Sequence, residues 1–279
     1  MIKKRGRGRP KKPQNVTFVP SIIDFKDIVK LNKLNIDPKM LEQMNSGLTN
    51  MDKFISHESG IPRSTNIMAC GDPGVGKTTI LLDVMSGVVN NGYKGLFISG
   101  EMGKKQMHKY TKRFPQFGNI ETLFISDYLE YNTKDVVEQV LDKGWDIVLI
   151  DSIAEIIDGA RDDNGWERKF AESWLVDVCN KHNKGENKSN SYTAFLLIQQ
   201  VTKSGVFVGG NKLKHLTDAM LEMRRERNGG AYMEFTKNRN GECGYKMGFD
   251  LNSGTIKYGA VSERDELTLE ITNQDEMEE

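Results

Sequence analysis

The chain has 279 residues, 37% of them hydrophobic and 28% charged, with a formal net charge of zero. That length buries a substantial core without a disulfide or metal staple, and no apolar run approaches the roughly eighteen residues of a membrane-spanning helix. No apolar stretch follows the basic N-terminus, so no secretory signal is expected. Cys70, Cys179 and Cys243 are too widely spaced for a disulfide framework or a zinc motif and suit a reducing compartment.

The neutral total hides two polarised ends. Residues 1–12 carry Lys3, Lys4, Arg5, Arg7, Arg9, Lys11 and Lys12 with no acid, and Gly6, Gly8, Pro10, Pro13 and Pro20 are interspersed through residues 1–20. Such a segment cannot bury enough apolar surface to order itself, so residues 1–20 are expected to be a disordered basic arm. Residues 21–45, with Ile22, Ile23, Phe25, Ile28, Val29, Leu31 and Leu34, have the content of one short helix or docking segment. At the other end Glu263, Asp265, Glu266, Glu270, Asp275, Glu276, Glu278 and Glu279 face one base, Arg264, and residues 255–279 are expected to be an acidic tail.

Between these ends, over 46–254, short apolar runs alternate with helical periodicity. A strand is expected at 66–70, then a helix in which Ile80, Leu81, Val84, Met85, Val88 and Val89 recur at three- and four-residue steps, closed by Gly92. Strands follow at 95–99, 123–125, 145–150 and 193–198, and helices at 103–113, 134–143 and 165–182. Residues 183–190 read as a polar loop and 203–214 as a Gly/Lys-rich loop, before three strands near 219–223, 231–237 and 244–250. Alternation of this kind implies βαβ units. The expected fold is α/β, with a mainly parallel central sheet, helices on both faces and an antiparallel C-terminal extension.

The strongest local signal is Gly71, Asp72, Pro73, Gly74, Val75, Gly76, Lys77 and Thr78, continuing to Thr79. It fits the phosphate-binding loop G-x-x-x-x-G-K-[ST] in its required setting, with an apolar strand before and an amphipathic helix after. Glycines allow backbone N–H groups to surround phosphate oxygens, Lys77 is expected at the β- and γ-phosphates, and the Thr78 hydroxyl is expected on Mg²⁺. The new helix also points its positive end at the phosphates.

Two acids complete the constellation. Asp151 ends the apolar run 147–150, where a buried parallel strand opens into the crevice beside the loop, and would stand next to the Mg²⁺. It also reads as a solvated strand-end acid. Glu101, in Ser99-Gly100-Glu101, ends the strand after the loop's helix and could polarise an attacking water. Spacing leaves it equally readable as an acid at a helix N-terminus.

With these residues in place, the chain resembles the RecA-fold ATPases of the RadA/Sms and DnaB-helicase group, from a phage or a bacterium. The matching text is GLTNMDKFI (47–55), GDPGVGKTT (71–79), FISGEM (97–102), VLIDSI (148–153), LLIQQVTKSG (196–205), LKHLTDAMLEM (213–223) and KNRNGECG (237–244). The resemblance implies an ATP- and Mg²⁺-dependent enzyme of the bacterial or infected-host cytoplasm. It implies a catalytic role for Glu101, an Mg²⁺-associated role for Asp151 and a γ-phosphate sensor at Gln200. It also implies that Lys237 and Arg239 reach the nucleotide of a neighbouring subunit in a hexameric ring or filament. A hairpin turn alone also explains the NRNG text. Lys203, Lys212 and Lys214 fall on the loop that touches single-stranded DNA in that group. The zinc module and C-terminal protease-like domain of RadA/Sms proteins have no counterpart in this text, nor has the N-terminal helical domain of replicative helicases.

The N-terminal Arg5-Gly6-Arg7-Gly8-Arg9-Pro10 resembles an AT-hook, in which arginines enter the narrow minor groove of A·T-rich duplex. A plain phosphate-binding arm is the alternative. Together these features lead to a DNA-dependent ATPase of recombination, repair or replication, a ring-forming motor or helicase on single-stranded or branched DNA, with no membrane partner. A strand-annealing or strand-exchange recombinase and a non-catalytic architectural DNA-binding protein are the alternatives.

Overall fold

In a computed structural model the chain divides into two compact units, Met1–Ile36 and Asp37–Glu279. The structure describes residues 28–200, 213, 217–226, 229–251 and 254–263. In the first unit the described part of the expected docking segment contains one 3-10 turn, Leu31–Lys33. The basic arm, most of the 203–214 loop and the acidic residues from Arg264 onward lie outside the described residues.

The second unit is built on one sheet. A small antiparallel pair, β1 (Gln43–Met44) with β2 (Ile61–Pro62), flanks α1 (Thr49–Ile55). The main sheet then takes β3 (Asn66–Gly71), β4 (Gly95–Ser99), β5 (Glu121–Phe124), β6 (Ile147–Asp151) and β7 (Ala194–Ile198). To these it adds β8 (Ala219–Arg225), β9 (Ala231–Asn238), β10 (Tyr245–Asp250) and β11 (Lys257–Glu263). Their spatial order is β11-β10-β9-β8-β3-β7-β6-β4-β5. The strands from β8 to β5 are mutually parallel, and β9, β10 and β11 continue the sheet antiparallel. The expected α/β class with an antiparallel C-terminal extension is the observed architecture.

Strand alternation sorts the core into two layers. On β6, Ile147 and Leu149 face one side with α2 (Lys77–Asn90), whose Ile80, Leu81, Val84 and Met85 cover them. Val148 and Ile150 face the other side with α4 (Thr133–Leu141), α5 (Ile153–Asn164) and α6 (Arg168–Asn183). Strands covered on both faces carry apolar residues at every position, which is why these runs do not alternate in sequence. The chain leaves β3 for β4 three places to one side, and leaves β7 for β8 past β3 on the other. That reversal opens a crevice at the carboxyl ends of the strands.

Several expectations are corrected. The helix expected at 165–182 is preceded by another, α5, whose buried Ile153, Ile156, Ile157 and Ala160 follow a regular 3.6-residue period. The segment expected to be acidic tail from residue 255 contains β11, paired with β10 through Met247↔Val261 and Phe249↔Tyr258. The turn reading of the NRNG text holds in that it opens the connection between the antiparallel strands β9 and β10, although that connection is longer than a tight turn and is not simply solvated. The β9–β10 connection runs from Asn238 to Tyr245 and is pinned to the end of α1 and the residues just after it: Asn238 Nδ2 donates to Ile55 O at 3.0 Å and His57 N to Asn240 O at 3.0 Å.

The added strand is tied to the loop-bearing helix. Tyr258 Oη donates to Asp83 Oδ2 at 2.8 Å, and Gln116 Nε2 donates to Asp83 Oδ1 at 3.1 Å. Burial and the neighbouring Asp83 carboxylate push the Tyr258 phenol far above its ordinary pKa, so it remains a donor. Tyr258→Phe leaves the buried Asp83 carboxylate with a donor fewer and should lower unfolding stability by about 1–3 kcal/mol, read as a shift in the denaturation midpoint at unchanged slope.

Candidate functional site: a phosphate-loop cleft

The site begins where β3 stops. Gly71 has φ +145°, and a Cβ there would lie 2.0 Å from Met223 O of the adjacent β8. Only glycine allows the strand to turn so close to its neighbour's backbone. Gly76, at φ +116°, precedes the first residue of α2, and a Cβ on it would strike Leu251 Cδ1 at 2.3 Å. The Val75 side chain is 1% exposed and belongs to the core, and its N–H is engaged by Asp72 O at 3.3 Å. The loop is thus anchored from within by an apolar side chain, while its remaining N–H groups are directed by the glycines.

Lys77 Nζ curls onto the loop and donates to Gly71 O at 2.8 Å and Asp72 O at 3.0 Å. Burial lowers its pKa below the ordinary lysine value, opposed chiefly by the Asp151 carboxylate. Thr78 Oγ1 donates to Asp151 Oδ2 at 2.5 Å. Asp151, 3% exposed, ends β6, and its peptide to Ser152 is cis. Burial raises its pKa to about 6 from the ordinary 3.8, with the Thr78 hydrogen bond and Lys77 pulling it down and Glu101 pushing it up. A hydroxyl and a buried carboxylate side by side make the hard-oxygen donor set that Mg²⁺ prefers. Thr78 and Asp151 therefore fit that ion.

Sheet register brings the remaining residues to the same rim. Ser99 of β4 is level with Asp151, and Asp151 with Ile198 of β7, so the segments that leave these strands emerge side by side. Gly100 N donates to Asp151 O at 2.7 Å and Glu101 N to the same oxygen at 3.3 Å. Gln200 Nε2 donates to Glu101 Oε1 at 2.5 Å, which joins the two exposed side chains across the β6 end. Lys77, Thr78, Thr79, Glu101, Asp151 and Gln200 all line one cleft of about 390 Å³, with Pro73, Gly74 and Gly76 of the loop. That volume lies in the range of small-molecule sites, about 300–1,000 Å³.

Lys237 and Arg239 are elsewhere. Lys237 is level with Met220, near the start of β8, whereas the cleft lies beyond Met223 at the other end of that strand. Lys237 Nζ donates to Thr217 O, and Arg239 forms an ion pair with Asp218 at 3.2 Å. Burial, aided by the Arg239 charge, lowers the Lys237 pKa. At about 3.3 Å per strand residue, neither cation serves the cleft of its own chain. Arg5, Arg7, Arg9, Lys203, Lys212 and Lys214 lie outside the described residues.

Four further residues line the cleft and carry no sequence motif: Tyr110 and Arg113 on α3 (Lys104–Arg113), Arg225 at the end of β8, and Leu251 just after β10. Arg113 Nη2 donates to Leu251 O at 2.7 Å, so α3 and the C-terminal strands close one wall together. The i, i+3 spacing of Tyr110 and Arg113 on a polar helix was the only available signal for that pair.

A glycine-cornered strand–loop–helix, an ammonium on the loop and a hydroxyl–carboxylate pair at the switch point define a RecA-type P-loop ATPase fold. A family model described as "ATPase: KaiC" matches residues 44–240, and the chain belongs to that family. It is similar to the DNA repair protein RadA of Mycobacterium tuberculosis, at 26% identity over 209 residues that cover 74% of this chain and 41% of the relative. The RadA of Brucella abortus is 24% identical over 258 residues, covering 88% of this chain and 51% of the relative. The chain thus spans about two-fifths to half the length of these curated relatives. Among solved structures, a KaiC-like protein from Pyrococcus horikoshii superposes with a TM-score of 0.58 at 17% identity, covering 80% of this chain and 99% of that one. Flagellar accessory protein FlaH from Methanocaldococcus jannaschii gives 0.57 at 14%, covering 78% and 99%. At such identities the structural likeness speaks for the fold.

The Asp151 charge sets a pH dependence. Its folded pKa lies above the unfolded value, so its charge opposes folding above about pH 6 and that opposition fades as pH falls toward 3.8. Asp151→Asn should therefore raise the melting temperature of the nucleotide-free protein at pH 7.5, by the equivalent of about 1–3 kcal/mol, with the gain shrinking toward pH 5. Mg²⁺-dependent nucleotide binding by the wild type should weaken as pH drops below about 6, where the carboxyl is protonated. Calorimetric melting and nucleotide titration across that range check both.

Proposed function

We propose that the chain is a DNA-dependent ATPase acting on recombination, repair or replication intermediates, a RadA/DnaB-like motor that hydrolyses ATP at a seam between two copies. The reading is carried by one observation. Lys77, Thr78, Asp151, Glu101 and Gln200, from four separate segments, converge on one cleft, while Lys237 and Arg239 sit at the far end of β8. A cleft equipped with acids and a phosphate loop, on a chain whose Lys237 and Arg239 lie away from it, suits completion by a neighbour.

In this reading the loop from Gly71 to Thr79 seats the phosphates, and Lys77 moves from the loop carbonyls to the β/γ oxygens. Thr78 and Asp151 would hold Mg²⁺, which when bound neutralises charge on the transferring phosphoryl group. Glu101 orients the attacking water and accepts its proton, and Gln200, hydrogen-bonded to Glu101, registers the terminal phosphate and passes that state to the residues that follow it. Tyr110, Arg113 and Leu251 form the wall available to the base. Lys237 and Arg239 act on the nucleotide of the next copy. Lys203, Lys212 and Lys214 follow the backbone of single-stranded DNA, and Arg5, Arg7 and Arg9 contact duplex, A·T-rich where the arm enters the minor groove. The RadA relatives are named as DNA repair proteins, which supports this choice of polymer and process.

The reading is tested by ATP turnover with and without single-stranded and branched DNA. Stimulation by DNA is expected, and Lys77→Ala or Glu101→Gln should each reduce turnover by at least about a hundredfold. The seam is tested by mixing. Lys77→Ala and the double variant Lys237→Ala/Arg239→Ala should each be inactive alone and regain part of the wild-type rate together, because mixed assemblies contain seams with an intact cleft facing intact cations. No recovery on mixing, with assembly verified by light scattering, rules out the trans role.

A further inference from the structure

The helix that follows Glu101 carries a charge pattern that the ATP site does not use. Lys104, Lys105, His108, Lys109, Lys112 and Arg113 lie within α3, and no acid occurs from Met102 to Ile120. At 3.6 residues per turn all six fall on one half of the cylinder. The other half holds the uncharged Gln106, Met107, Tyr110 and Thr111. The uncharged half is the one that packs, with Met107 buried and Tyr110 lining the cleft, whereas all six basic side chains are exposed.

Two of these cations are engaged within the chain. Lys104 forms an ion pair with Asp127 at 2.8 Å, and Arg113 donates to Leu251 O at 2.7 Å. Among the described residues no carboxylate lies within ion-pair distance of Lys105, Lys109 or Lys112. Their arrangement costs the helix stability. Lys105 and Lys109 are like charges at i, i+4, as are Lys109 and Arg113, and Lys109 and Lys112 repel at i, i+3. Lys104 and Lys105 open the helix, where its dipole favours acids, and the first turn contains none. A self-repelling row with no counter-charge inside the chain is balanced by an anion outside it.

The spacing narrows the choice of anion. From Lys105 to Lys112 the row runs about 10 Å along the helix at 1.5 Å per residue, a length over which one strand of a duplex makes about three phosphate steps. A small anion meets one end of such a row, and a phosphodiester backbone meets all of it. The charged half of α3 carries no large apolar residue, so it lacks the face with which a basic helix enters a membrane surface.

We propose that the exposed face of α3 is a nucleic-acid contact: Lys105, Lys109 and Lys112 bind successive phosphates of a DNA strand without reading its bases. This rests on the DNA-dependent reading above, and it adds a third contact to residues 203–214 and the N-terminal arm. The same helix carries Tyr110 and Arg113 of the cleft wall, so a strand held on α3 bears on the nucleotide site through one rigid element.

The test is binding of a fluorescent dT oligonucleotide, and of a duplex of equal length, to the full chain with Mg²⁺ and ATPγS over a range of salt. Lys105→Gln/Lys109→Gln/Lys112→Gln should weaken binding by about 10–100-fold at low salt. The slope of log affinity against log salt should flatten by about 2 for the single strand or about 3 for the duplex, and the polymer that shows the loss is the one seated on α3. Lys105→Arg/Lys109→Arg/Lys112→Arg should bind as the wild type does. Lys53→Gln/Lys143→Gln/Lys184→Gln removes the same net charge elsewhere and should change affinity by less than about threefold. The α3 glutamine variant should keep its assembly and basal turnover and melt no lower than the wild type, because it relieves repulsion. Lys109→Gln alone, flattening the single-strand slope by about 0.7, covers the case in which the triple variant fails to fold. Wild-type affinity and slope in the α3 glutamine variants overturn the proposal, as does equal weakening by the substitutions elsewhere. Loss of assembly makes the row a contact between copies and overturns it too. A wild-type chain that binds neither polymer overturns the DNA reading itself, and this assignment with it.

Discussion

The contact between Thr78 and Asp151 joins the first turn of the loop-bearing helix to the end of β6, a strand two places away from the one that feeds the loop. It places a carboxylate where the sheet has almost no water, and a single hydroxyl does not compensate fully for that desolvation. The raised pKa of Asp151 is the thermodynamic trace of the imbalance. A fold that retains such a carboxylate has a use for positive charge at that point. The surrounding geometry serves the same need: the ammonium of Lys77 waits on the loop's carbonyls, and the register of β4, β6 and β7 sets Glu101 and Gln200 on the same rim.

The sheet also separates charges by direction. Parallel strands deliver their carboxyl ends to one crevice, so residues that leave β4, β6 and β7 meet the phosphate loop without long side-chain excursions. β9 runs the other way, and residues at its end arrive at the opposite edge. Lys237 and Arg239 are held there by Thr217 and Asp218, and the connection after β9 is clamped to the end of α1 and to His57 just beyond it. Strand polarity alone therefore keeps these cations away from their own cleft. Arg225 obeys the same logic from the other side, since β8 is parallel to β3 and its end arrives at the loop.

Membership of the KaiC-type ATPase family rests on residues 44–240, and the described structure extends that unit by β10 and β11. The extra strand is more than an edge. Its Tyr258 reaches Asp83 on the loop-bearing helix, and Leu251, in the segment before it, packs on Gly76 and receives Arg113. The C-terminal strands thereby form part of the cleft although no residue in them belongs to a nucleotide-binding motif.

The parts of this protein that depend on local chemistry were legible in its sequence. Gly71 to Thr78 spell a loop because backbone N–H groups can converge on phosphate only where side chains are absent, and the apolar runs ending at Ser99, Asp151 and Ile198 declare buried parallel strands. The helix at Ile153–Asn164 is equally legible, since its buried Ile153, Ile156, Ile157 and Ala160 recur at three- and four-residue steps. What only the tertiary structure decided concerns residues whose meaning comes from a partner distant in the chain. Tyr110, Arg113, Arg225 and Leu251 share a wall because α3, β8 and the end of β10 meet over the loop, and no spacing along the chain encodes that meeting. Lys257–Glu263 lacks the apolar content that announces a strand, because an edge strand owes its order to the ladder beside it more than to burial of its own side chains.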